Sequence, residues 1–187
     1  MNQTMITLRD EHRSIAYLLD LLERQADLIE KTGVPNLPLV VEIVDYFRSF
    51  PDMHHHPKED LVLRRLCKRA EGLDADFFGL EDEHEHLSDE LHVFSRTVTT
   101  LMTDPCEVTR SAFILTARSF IERERQHMAK EERYFFPAAE HWLTDEDWRE
   151  IDEAVSQFVD PMWEPDTGYR FRHLTEHLDR WRNTEAV

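Results

Sequence analysis

Glycine is nearly missing from this chain, with four in 187 residues. Folds made of tight β-turns need glycine where φ is positive, so the shortage points to helices. Long apolar runs are missing too: none approaches the roughly 20 residues that span a bilayer. The opening Met1-Asn2-Gln3-Thr4-Met5 has neither the basic start nor the apolar stretch of a secretory signal. Cysteine is scarce. Cys67 and Cys106 lie far apart without CxxC spacing and read as free thiols of a reducing cytoplasm. Positive charge is also short: 22 Lys and Arg against 39 Asp and Glu leave a net charge of −17. That charge repels a phosphate backbone and an anionic lipid surface, which argues against nucleic acid and membrane as partners.

What is there in quantity is apolar residue, 41% of the chain, enough for one domain with a packed core. Eleven histidines are the unusual count. Histidine is the commonest metal ligand, so their placement decides the function.

Apolar positions recur at steps of three and four, the helical period. A first helix over residues 4–31 carries Leu8, His12, Ile15, Leu19 and Leu22 on one stripe, and Gly33 and Pro35 close it. A second covers 38–70, bent near residues 52–56 because Pro51 and Pro57 lack backbone donors. The third carries Phe77, Leu80, His84, Leu87, Leu91, Phe94, Val98 and Leu101 in unbroken register. The fourth, over 107–141, carries Phe113, Ala117, Phe120, His127, Glu131 and Tyr134. Four long amphipathic helices with short connections predict an all-α, up-down four-helix bundle over residues 1–142. Residues 143–187 form an extension with two further helices. Trp148, Ile151, Val155 and Phe158 mark one, and Phe171, Leu174, Leu178 and Trp181 mark the other after a proline-containing link at 160–168. The extension is expected to pack on the bundle or to pair two subunits.

A repeat runs through the chemical residues. Asp10-Glu11-His12 returns as Asp82-Glu83-His84, an offset of 84 − 12 = 72. His55-x-x-Lys58-Glu59-Asp60 returns as His127-x-x-Lys130-Glu131-Glu132, and 127 − 55 is again 72. Each half is a histidine followed by His-x-x-x-Glu, on what reads as a helical hairpin. Two such hairpins about a pseudo-twofold axis would bring His12, His55, Glu59, His84, His127 and Glu131 to one level. In His-x-x-x-Glu both side chains share a helix face, one turn (about 6 Å) apart. Buried carboxylates without partners cost several kcal/mol each. No lysine or arginine stands out on the inner stripes at that level, so metal ions are the expected neutralisers. Imidazoles with shared carboxylates suit iron, manganese or zinc, whereas calcium and magnesium prefer oxygen alone.

These residues, with His55-His56-Pro57-Lys58-Glu59-Asp60-Leu61 and Glu131-Glu132-Arg133-Tyr134-Phe135-Phe136-Pro137 around them, resemble the hemerythrin-like, or HHE cation-binding, family over about residues 5–142. The resemblance implies two iron ions joined by an oxo or hydroxo bridge, with manganese or zinc as alternatives. His12 and His55 would bind one ion and His84 and His127 the other, with Glu59 and Glu131 bridging. The chain departs from oxygen-carrying members in having Ser88 where a further histidine stands, and a glutamate four residues after His127 where an aspartate stands five after. Fewer nitrogen ligands leave more open metal positions. The expected role therefore moves from reversible oxygen carriage to binding or reacting with dioxygen, nitric oxide or peroxide. An iron-sensing, storage or regulatory module without turnover is the alternative, and a structural zinc site the third.

Other histidines read more plainly. His56 is a candidate auxiliary ligand, because the proline bend can turn it inward. His86 and His92 lie off the stripe, His141 sits at a helix end, and His173-x-x-x-His177 is a two-residue pattern compatible with zinc but more simply a hydrogen-bonded pair.

Overall fold

The computed structural model describes residues 2–70, 79–156, 171, 173–177 and 180. Every regular element among them is helical, as the glycine shortage predicts. α1 (Gln3–Thr32) starts where the Asn2 side chain accepts the Met5 N–H at 2.8 Å. It ends at Gly33, whose φ of 78° only glycine adopts without strain and whose N–H donates to Ile29 O. α2 (Leu37–Ser49) follows. Then comes a wide turn, π1 (Pro51–His55), and α3 (His56–Arg69). Where a bend is expected, the helix is interrupted by this turn: the His54 and His55 N–H groups both donate to Phe50 O, at 2.8 and 3.2 Å. A wider turn with shared acceptors accommodates the donors that Pro51 and Pro57 lack.

α4 (Leu80–Thr103) and α5 (Glu107–Lys130) form the second hairpin. A second wide turn, π2 (Glu131–Phe135), leads to α6 (Phe136–Trp142). π2 corrects the expected stripe. Tyr134 is 53% exposed, whereas Phe135 and Phe136 are fully buried. A π-turn holds one more residue than an α-turn, so positions beyond Glu131 slip around the axis.

α1 and α4 both pack on α5, α2 packs on α4, and α3 packs on α6. The core splits into two apolar clusters. One gathers Ile15, Phe47, Phe94, Phe113 and Phe120, with Phe47 edge-on to Phe120 at 5.1 Å. The other gathers Leu8, Val62, Leu66, Leu80, Phe135 and Phe136. On each arm the change of cluster falls at a polar residue: His12 lies between Leu8 and Ile15, and His84 between Leu80 and Leu91. Glu59 likewise separates Phe50 from Val62, and Glu131 separates Met128 from Phe135. A polar layer is thus sealed between two apolar ones.

α7 (Asp145–Val155) docks on α1 and α3. Thr144 caps it, and the Asp147 carboxylate returns the bond to the Thr144 N–H at 2.9 Å. Asp147 is fully buried and also accepts from Arg69 at 2.7 and 3.0 Å. Burial works against this carboxylate, but Arg69 and Thr144 outweigh it and hold its pKa at about 2. A depressed pKa stabilises the fold above the ordinary carboxylate range, and the contribution disappears as pH falls towards 2. Asp147→Ala is therefore expected to cost about 1–2 kcal/mol in urea unfolding at neutral pH, and less near pH 2.

Near the C-terminus, buried Phe171 meets Tyr46 edge-on at 5.8 Å, and the Leu174 N–H donates to Glu42 at 3.0 Å. The apolar positions expected at Phe77, Phe158, Leu178 and Trp181, and the link at 160–168, lie outside the described residues.

Candidate metal centre

All six residues singled out by the repeat meet in the polar layer. His12 comes from α1, His55 ends π1, Glu59 lies in the first turn of α3, and His84 lies near the start of α4. His127 lies in the last turn of α5 and Glu131 opens π2. Both glutamates are 0% exposed. Glu59 Oε1 lies 3.5 Å from His12 Nε2 and 3.4 Å from His55 Nε2, while its Oε2 lies 3.5 Å from His84 Nε2. Glu131 mirrors this. Its Oε1 is 3.2 Å from His127 Nε2 and 3.8 Å from His84 Nε2, and its Oε2 is 3.3 Å from His12 Nε2. Each carboxylate faces both halves with one oxygen apiece. The His12–His55 and His84–His127 ring centroids stand 5.0 and 4.9 Å apart.

Each imidazole turns Nε2 to the centre because a carboxylate holds its Nδ1. His55 donates to Glu11 at 2.8 Å and His127 to Glu83 at 3.0 Å. His12 donates to Glu132 at 3.1 Å, and His84 Nδ1 faces Asp60 at 3.6 Å. Lys58 bonds Glu11, and Lys130 bonds Glu83. Every one of these supports obeys the 72-residue offset: Glu11 with Glu83, Lys58 with Lys130, Asp60 with Glu132. The first-half Asp60 serves second-half His84, and second-half Glu132 serves first-half His12, so the hairpins brace each other. Carboxylate-held histidines are the usual outer shell of metal ligands.

These six supporting residues stand within the repeat, and their residue types alone assign them no role. The constant offset was the signal that could have found them. Contrary to the expectation of no inward lysine or arginine at this level, Lys58 is a buried cation, 2% exposed. Its ammonium goes to Glu11 and lies 5.5 Å over the Phe50 ring, leaving Glu59 and Glu131 without it.

The two supporting pairs differ in burial, which sets different consequences. Glu11 and Lys58 are both buried, so Glu11→Ala strands a lysine and is expected to cost about 3–5 kcal/mol in chemical denaturation. Glu83 and Lys130 are about one-third exposed. Glu83→Gln should leave stability nearly intact and weaken metal affinity about 10- to 100-fold in competition with a chelator.

The electrostatics of the centre are those of stacked anions facing imidazoles. Burial and Glu131 both work against the Glu59 carboxylate, yet His55, His12 and His84 hold it at about 2. Burial opposes Glu131 as well, and His127, His12 and His84 bring it well below the usual range. Burial works against a charged His84, but Asp60, Glu131 and Glu59 raise it to about 11. His127 rises to about 9 against the same penalty, through Glu131 and Glu83, and His12 rises well above its ordinary value beside Glu131, Glu132 and Glu59. Any proton these imidazoles hold at Nε2 must leave when a cation takes that atom, while the Nδ1–H stays with its carboxylate.

Whether the donor set fits a metal is tested by its orphaned atoms. His12, His84 and His127 Nε2, and all four oxygens of Glu59 and Glu131, are buried without a hydrogen-bond partner. Native interiors leave only a few such atoms per hundred residues, and seven around one point fit a cation. His12, His55 and Glu59 each offer a donor within 4.8 Å of the others, as do His56, Glu59, His84 and His127. Among the described residues these are the groups able to hold a metal. The other histidines behave as read: His86, His92 and His141 are exposed, and His173 bonds Glu42.

Helices that converge buried imidazole nitrogens and carboxylate oxygens lacking hydrogen-bond partners define a helical metal-binding protein. The chain belongs to the hemerythrin family: the family model described as Hemerythrin HHE cation binding domain matches residues 5–139. No curated protein matches it. The match ends short of α7.

Proposed function

We propose that this chain holds two iron ions between His12, His55, Glu59, His84, His127 and Glu131, and binds or reacts with dioxygen, nitric oxide or peroxide. The carrying observation is the pair of fully buried carboxylates, each with one oxygen toward each pair of imidazoles. His12 and His55 serve one ion, His84 and His127 the other, and Glu59 and Glu131 bridge. In this reading the four arms over 1–142 run up and down, and 143–187 is an extension packed on them.

An iron pair supplies exchangeable electrons and open positions for a small ligand. The protein's own groups do the rest. Nδ1 contacts to Glu11, Asp60, Glu83 and Glu132 fix the rings and keep Nε2 inward. Phe136, stacked on His12 at 5.1 Å, belongs to the apolar cluster that keeps water from that side.

The test is an absorption spectrum with metal analysis, before and after peroxide and nitric oxide. Near-ultraviolet bands of a ferric pair that change with either ligand support the reading. A colourless zinc protein refutes it. A second reading, an iron-sensing, storage or regulatory module without turnover, draws on α7, which packs on the helices carrying His12 and Glu59. Iron that is bound but inert to both ligands favours it.

A further inference from the structure

We infer that His56 is a fifth imidazole ligand, which makes the two half-sites unequal; the inference rests on the paired-metal reading above. His56 is 6% exposed and lies against the second half-site, with its ring parallel to His84 at 3.9 Å and 9°. It meets His127 edge-on at 5.9 Å. One donor atom of His56 lies within 4.8 Å of donors from Glu59, His84 and His127. Its chain neighbour His55 belongs to the other group, with His12 and Glu59. Two adjacent residues at the junction of π1 and α3 therefore straddle the centre and serve opposite ions.

The repeat shows why this breaks the symmetry. All four other imidazoles, both bridging glutamates and the supports named above have a partner 72 residues away. For His56 that position, 56 + 72 = 128, is Met128, a buried thioether within the apolar cluster. A thioether is a soft, weak donor and does not replace an imidazole on iron, manganese or zinc. The His84–His127 half thus has three imidazoles and the His12–His55 half has two. The His84–His127 half holds its ion more tightly. The His12–His55 half has fewer protein donors and keeps the position that a small ligand would take.

Metal-free full-length protein titrated with Co²⁺ tests this directly. The unaltered chain is expected to take up two ions in two resolved steps. His56→Gln should still bind two, with the tighter step weakened about 10- to 100-fold. Two steps unchanged in His56→Gln overturn the inference while leaving the paired-metal reading standing. Failure of the unaltered chain to bind a pair overturns both. A measurement independent of any variant is ¹⁵N-histidine NMR of the Zn²⁺-loaded chain. Five ring nitrogens shifted by metal support His56 as a ligand, and four overturn it.

Discussion

Replacing Glu59 and Glu131 together by glutamine is expected to reduce bound metal from two ions per chain to one or none. Each carboxylate places one oxygen against each half-site, at 3.2 to 3.5 Å from the nearest Nε2 atoms. An amide has a single acceptor oxygen and no charge, so it neither bridges two cations nor offsets them. Imidazoles alone would then face two divalent ions with no anion between them, and the repulsion disfavours the second ion. The fold should survive, because in the metal-free protein those carboxylates are balanced only by imidazoles, and both partners become neutral together. Unchanged far-ultraviolet circular dichroism with lost metal is the expected pair of results. Full occupancy in the double variant would refute the bridging role.

Metal loading is expected to raise the melting temperature more than any single substitution lowers it. The seven orphaned atoms of the centre are a cost carried by the metal-free fold, and an ion relieves it only in the folded state. A ligand present at a thousand times its dissociation constant stabilises by about 4 kcal/mol for each site. For a chain of this size, each kcal/mol moves the midpoint by about 2–4 °C, so two ions should add roughly 15–30 °C. Calorimetry of metal-free and loaded protein reads this. A shift of only a few degrees would mean that the cations bind outside the buried layer. The same scan on Glu83→Gln should show a smaller shift, because a loosened His127 binds less tightly.

Much of the site was legible in the sequence because histidine and glutamate are conspicuous on an apolar stripe. The 72-residue offset then selected His12, His55, Glu59, His84, His127 and Glu131 from eleven histidines and many more acids. The supporting shell was harder to read. Glu11 supports His55, and Asp60 supports His84, across helices, and such pairings depend on how the arms are placed side by side. Lys58 reads as a surface residue in a helix with several charges, and its burial follows from the same cross-helix pairing. The helical class followed from the glycine shortage and the apolar period. The wide turns did not: Pro51 foretold a bend, but nothing in Glu131–Phe135 foretold π2, and Tyr134 went to the wrong face as a result. Both turns fall at proposed ligand residues, and π-turns are frequent at functional sites. They cost the helix regularity and set the angles at which His55, His56 and Glu131 enter the polar layer.

The central claim is a pair of metals in one buried layer, and the metal-to-protein ratio tests it most directly. Metal-free chain loaded with ferrous iron under anaerobic conditions, desalted and measured by elemental analysis, should retain two iron ions per chain. Retention of one or none would contradict the account.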